Sequence, residues 1–170
     1  RVEREYYVND HGRQMDILTA SVWMRYLELC GEQPRFPDNG YHGDYIYDIA
    51  RSVREAHGDQ FRHPWRVVAD GLPADDSDGG DREAYIDALV RRARELMGAD
   101  GYAACFEVAL ETMIEEIRED LEQFGVTFDR WFSERELDRS GALQRALERL
   151  DEGGWLYTRD GARWFRSSDL

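Results

Sequence analysis

Apolar residues along this chain follow two different periods, and the switches between them mark out its elements. Residues 3–8 (Glu-Arg-Glu-Tyr-Tyr-Val) gather aromatic and β-branched side chains in a short run that stops at Asn9-Asp10, which predicts a strand. From Asp10 the period lengthens. Met15, Leu18, Val22, Tyr26 and Leu29 recur three and four residues apart on one helical face, and Gly31 supplies the stop. Residues 32–42, with Pro34, Pro37, Asn39 and Gly40, read as a loop before a helix over 44–57 that turns Tyr45, Ile49 and Val53 inward. Residues 58–80 have the weakest pattern. Two helices follow, over 81–97 and 103–124; the second aligns Phe106, Leu110, Met113, Ile117, Leu121 and Phe124 on one stripe. Residues 126–133 return to the aromatic character of the first strand. Ser140 then caps a helix reaching Leu150, with Leu143, Leu147 and Leu150 inward and Gly153-Gly154 ending it. The aromatic runs 155–158 and 163–166 flank Asp160-Gly161, a strong local hairpin signal.

A crossover running from residue 9 to residue 125 between two strands is far longer than the dozen or so residues a βαβ unit needs. The pattern therefore predicts an α/β fold: parallel strands joined by a long, mostly helical insertion, with a C-terminal β-hairpin. The junction Asn9-Asp10-His11-Gly12-Arg13-Gln14 is the richest place for chemistry. Polar side chains at the carboxyl end of a parallel strand occupy the ligand-binding edge of such sheets, Gly12 permits close backbone approach, and helix N–H groups favour anions. A plainer reading makes Asp10 only the N-cap of the helix that follows. Ser133-Glu134, ending the second strand, falls on the same edge as Asn9.

Composition narrows the possibilities. The 170 residues carry 22 basic side chains, all arginine, against 36 acidic ones, for a net charge of −14. That sign argues against a free-standing nucleic-acid binder. The absence of lysine excludes a P-loop and Schiff-base chemistry. Cys30 and Cys105 lack paired spacing, which fits a reducing cytoplasmic setting and offers no zinc site. His11, His42, His57 and His63 show no metal spacing, and no triad is evident. The cluster Asp70, Asp75, Asp76, Asp78, Gly79 and Gly80 fails the EF-hand pattern and reads as a solvated loop. The glutamates 107, 111, 115, 119 and 122 have no histidine partners for a di-metal bundle and read as a wet helix face. No apolar run is long enough to span a membrane. Starting at Arg1 in strand-like sequence and ending without a helix cap, the chain reads as a piece of something larger.

Two stretches carry a family resemblance: Glu5-Tyr6-Tyr7-Val8-Asn9-Asp10-x-Gly12-Arg13-Gln14-Met15, and Phe36-Pro37-Asp38-Asn39-Gly40-Tyr41-x-Gly43-Asp44-Tyr45-Ile46. With the run from Ile117 to Glu134 and the hairpin pattern from Trp155 to Ser168, they resemble bacterial arginyl-tRNA synthetase over nearly the whole chain. The resemblance implies an internal fragment of a class I catalytic domain. Residues 1–31 would supply a strand and helix of a Rossmann-like nucleotide-binding fold, 32–125 a helical crossover, and 126–170 the second strand, helix and hairpin. It implies ATP-dependent ligation of L-arginine to tRNA(Arg) through arginyl-adenylate. ATP and Mg²⁺ would be substrates of the complete enzyme, a cytoplasmic monomer without membrane partners. The family's two nucleotide signatures are missing from this sequence, so the fragment alone is expected to be inactive and to hold no cofactor. Without the family's neighbouring strand, the edge of strand 3–8 is expected either to recruit another copy of the fragment or to be covered by a displaced segment such as the 155–166 hairpin. Where the family often reads Asp-Trp-Gly-Thr-Gln, this chain has Asp10-His11-Gly12-Arg13-Gln14, so Asp10, Gly12 and Gln14 carry over and the tryptophan does not. Asn9, Asp10, Gly12 and Gln14, then Ser133 and Glu134, are the expected cleft residues, in positioning roles; no acid, base or metal ligand is assigned. A non-catalytic helical interaction module derived from an α/β sheet is the competing reading.

Overall fold

In the computed structural model, which describes residues 2–169, the chain divides into two compact units. One joins residues 1–11 to 128–170; the other holds residues 12–127.

The first unit is built on β1 (Glu5–Val8) and β2 (Arg130–Ser133), paired in parallel with Tyr6 beside Trp131, Tyr7 beside Phe132 and Val8 beside Ser133. Aromatic residues at matched positions hold this register. Tyr6 stacks on Trp131 at 4.3 Å between centroids and meets Phe128 edge-on at 5.2 Å, while Tyr7 lies 6.0 Å from Phe132. The expected parallel pair is present, with both strands shorter than the sequence runs that predicted them. Beyond β2 the chain turns into a short helix, α5 (Glu134–Arg139), then α6 (Ala142–Glu152). The helix expected to start at a Ser140 cap instead begins after Gly141, because Ser140 closes α5. Leu143 is correspondingly 52% exposed rather than inward. The overlooked signal was Ser133-x-x-Glu136, a capping-box spacing: Ser133 Oγ accepts the Glu136 N–H at 3.2 Å.

The hairpin forms as predicted. Strands β3 (Leu156–Arg159) and β4 (Ala162–Phe165) pair antiparallel across a two-residue turn. Asp160 and Gly161 sit at φ 52° and 77°, the left-handed pair a type I′ turn demands. It is a separate two-stranded sheet and does not add to β1.

The second unit centres on α1 (Arg13–Leu29), which packs against α2 (Tyr45–His57) and α4 (Arg82–Gln123). The four-residue α3 (Trp65–Val68) also lies against α4. α4 is interrupted at Gly98 (φ 68°, ψ 176°), so it is two helices, 82–97 and 99–123, close to those expected. The expected single stripe on α1 understates its burial, since Ile17 through Met24 are all buried. Thr19 and Ser21 tolerate this because each hydroxyl donates to the carbonyl four residues back, Met15 O and Ile17 O, at 2.8 Å. On the second half of α4 the core extends only to Met113, leaving Phe124 85% exposed at the end of the predicted stripe.

Residues 58–80 are not wholly a solvated loop. Phe61 and Val68 are buried, and Asp75 is 1% exposed. Its carboxylate accepts the Asp38 N–H at 3.0 Å, while Asp38 accepts the Ser77 N–H at 2.9 Å, so each aspartate ties down the other's loop. The Ser77 hydrogen bonds hold the Asp38 carboxyl below its usual range.

Both cysteines are buried and free. Burial pushes the Cys105 thiol up to about 12, and raises Cys30 as well. Neither should react with iodoacetamide at pH 8 until the protein unfolds; rapid alkylation of native protein, followed by mass spectrometry, would contradict this packing. The folded state holds these protons more tightly than the unfolded chain. Their contribution is therefore complete below the ordinary thiol range and is lost as the pH climbs towards the raised values.

Candidate functional site

The carboxyl ends of β1 and β2 meet at one edge of the parallel pair, the expected place for a ligand in an α/β sheet. Asp10 lies just beyond β1 and is 2% exposed. One of its carboxylate oxygens accepts the Ser133 hydroxyl at 2.6 Å, and the other accepts the Arg135 N–H at 2.8 Å. Gly12, not Asp10, is the N-cap of α1, and no side chain caps that helix. Asp10 instead accepts a first-turn N–H of α5, whose N-cap is Ser133, and so ties the end of β1 to the end of β2.

These groups border a cleft of about 460 Å³ lined by Asp10, Ser133, Arg135, Glu136, Arg139 and Ser140. Arg135 and Arg139 are one turn apart on α5 and bring two guanidinium groups to it. Sequence reasoning missed both because it missed α5. Glu134 also belongs to this edge, hydrogen-bonded to the Tyr7 side chain. Desolvation, then the charge and hydrogen bond of Glu134, raise the Tyr7 hydroxyl above its ordinary value.

Of the expected cleft residues, the structure gathers Asp10, Ser133 and Glu134 at this edge, with Asn9 exposed at the end of β1. Gly12 and Gln14 fall in the helical unit. Gly12 holds φ 91°, a conformation L side chains rarely adopt, and its carbonyl accepts the Met15 and Asp16 N–H groups. Gln14 is exposed, its Oε1 accepting the Tyr41 hydroxyl at 3.2 Å. Beside it Arg13 reaches Glu83 and Asp87 at 2.5 and 2.9 Å, half-exposed pairs that contribute little stability. Among the described residues no group of three or more His, Cys, Asp or Glu is placed to hold a metal ion. Nor is any helix long and apolar enough to cross a membrane.

A parallel strand pair with a helical crossover and a polar cleft at its carboxyl edge makes this an α/β protein. No protein-family model matches the chain. An arginine–tRNA ligase from Thioalkalivibrio sulfidiphilus is 55% identical over 99% of this chain and 29% of its own length. One from Legionella pneumophila strain Philadelphia 1 is 51% identical with the same coverage. An arginyl-tRNA synthetase structure from Campylobacter jejuni, 24% identical, shares the fold with a TM-score of 0.65 over 98% of this chain and 29% of that one. These relatives are aminoacyl-tRNA synthetases. The chain is similar to arginine–tRNA ligases over nearly its whole length, and it spans about 29% of the length of the curated relatives it matches.

Proposed function

We propose that this chain is part of an arginyl-tRNA synthetase that joins L-arginine to tRNA(Arg) through an arginyl-adenylate. The observation that carries the proposal is 55% identity to an arginine–tRNA ligase sustained over 99% of the chain. In this reading the strand pair belongs to a Rossmann-like catalytic domain: 1–31 begin the nucleotide-binding fold, 32–125 form its helical crossover, and 126–170 add the second strand, helix and hairpin. The enzyme works as a cytoplasmic monomer with ATP, L-arginine and tRNA as its partners. The isolated segment self-associates through the edge of β1 that β2 does not pair.

The arginine carboxylate attacks the α-phosphorus of ATP, forming the mixed anhydride and expelling pyrophosphate. A terminal ribose hydroxyl of the tRNA then attacks the acyl carbon, forming the ester and releasing AMP. Negative charge builds on phosphate oxygens in the first step, where preorganised donors and cations are most effective. Arg135 and Arg139 place such cations in the cleft. Asp10, engaged through both oxygens, positions rather than transfers a proton: it fixes Ser133 and the start of α5. Asn9 and Glu134 form the adjoining wall; Gly12 and Gln14, the remaining expected positioning residues, belong to the helical unit. Among the described residues no cluster of three or more His, Cys, Asp or Glu stands ready for magnesium, which would enter with the phosphates of ATP.

The test is arginine-dependent ATP–pyrophosphate exchange and tRNA charging by the full-length protein, with tRNA(Arg) present. The full-length protein should show both, and the 170-residue segment neither, because it lacks both nucleotide signatures. A full-length protein that charges no arginine overturns the reading. Gln14→Ala should lower charging several-fold while changing stability by less than about 0.5 kcal/mol, as for an exposed side chain.

A further inference from the structure

We propose that the β3–β4 hairpin is a contact surface for RNA, a platform on which unpaired nucleotides of the tRNA stack. The proposal rests on the tRNA-ligase reading above and adds where the chain touches the nucleic acid. In the hairpin register Tyr157 stands directly opposite Trp164, so both rings share one face. Side chains alternate along a strand, which puts Arg159 on that face too. Arg166 joins them, its guanidinium carbon 5.4 Å from the centre of the Tyr157 ring. The result is a four-residue surface in which two aromatic rings are flanked by two arginines.

Trp164 is 52% and Tyr157 36% exposed, although rings of this size are among the most effective at burying area. A shallow cleft of about 440 Å³ borders them, lined by Tyr157, Trp164, Phe165, Arg166, Ser167 and Ser168. Charge selects the occupant. Residues 155–168 carry Arg159, Arg163 and Arg166 against Asp160 alone, within a chain whose net charge is −14. A basic, aromatic patch on an acidic protein complements a polyanion carrying flat rings. Bases stack on aromatic faces whatever their sequence, and guanidinium groups pair with the phosphates between them. Arg159 already lies 3.6 Å from Asp160, an exposed pair that leaves the patch net positive.

The experiment measures tRNA(Arg) binding to the full-length protein by filter retention across a salt series, with arginine charging and the thermal midpoint in parallel. Trp164→Ala should raise Kd about tenfold, as for loss of one stacked base, and Trp164→Phe should restore most of it. Arg159→Ala should lower the slope of log Kd against log salt by about one. Both alanine variants should melt within about 2 °C of the parent, as surface changes do. Unchanged Kd and slope in an enzyme that charges arginine overturn this proposal alone; a parent that charges no arginine overturns the reading beneath it. Unchanged tRNA affinity with a lowered midpoint for Trp164→Ala also overturns it, identifying the hairpin as a docking face for protein. If affinity and midpoint fall together, the Arg159→Ala salt slope decides.

Discussion

Trp23→Ala should lower the stability of the helical unit by about 3–5 kcal/mol, the usual cost of deleting a large buried ring. Trp23 is fully buried at the centre of α1, surrounded by the apolar side chains of α2 and α4. Its indole N–H donates to the Phe61 carbonyl at 3.0 Å, so the substitution also leaves a buried acceptor unpaired. Domains retain only about 5–15 kcal/mol in all, so a large share of the total would be lost. Thermal unfolding followed at 222 nm reads mainly this unit because α1 to α4, the larger part of the helix, lie in it, and the midpoint should fall by about 10 °C or more. Trp23→Phe keeps one aromatic ring but leaves a smaller cavity and the same unpaired Phe61 carbonyl, so its loss should be intermediate, about 2 kcal/mol. A Trp23→Ala midpoint within a few degrees of the parent would show that α1 is not the centre of the core.

Asp10→Ala should destabilise the strand unit by about 3 kcal/mol, since hydrogen bonds to a charged group contribute about 1.5–3 kcal/mol each. The carboxylate is buried and serves two donors, the Ser133 hydroxyl and the Arg135 N–H, and alanine leaves both without their acceptor. Near-ultraviolet circular dichroism is the suitable probe, because Tyr6, Tyr7, Trp131 and Phe132 pack within the strand pair. Asp10→Asn preserves the volume and one acceptor oxygen, and should recover part of the loss. Combined with Ser133→Ala, the double-mutant cycle should give a coupling of about 1 kcal/mol or more. Additive losses would mean that Asp10 and Ser133 do not act as one device. In the full-length enzyme Asp10→Ala should then reduce charging through displacement of α5, and Asp10→Asn should reduce it less.

How much of this was readable in advance depended on the range of the forces involved. The hairpin was legible because Asp160-Gly161 meets a local dihedral demand. The break between the two halves of α4 was legible to within a few residues for a similar reason. The strand pair was legible because its aromatic runs are distinctive, and a parallel arrangement follows once a crossover joins them. Phe124 and Leu143 were misjudged because a helical stripe shows which face is apolar, not how far its partners extend. Asp75 was misjudged because its neighbours are charged, although the side chain itself is buried by hydrogen bonds to a loop far away in sequence.

The candidate site divides along the same line. By itself the sequence determined that polar residues end both strands, that a helix follows the Asn9–Gln14 junction, and that the whole resembles one synthetase family. Periods, turn residues and residue types are written into short windows of sequence. Only the tertiary structure decided that Asp10 turns away from α1 to accept a first-turn N–H of α5, and that Arg135 and Arg139 face the cleft beside it. It also decided that α1 is buried on nearly every side. Asp10 can satisfy donors on its own helix or on a segment more than a hundred residues away with similar geometry. The parallel register chooses between them by setting Val8 beside Ser133.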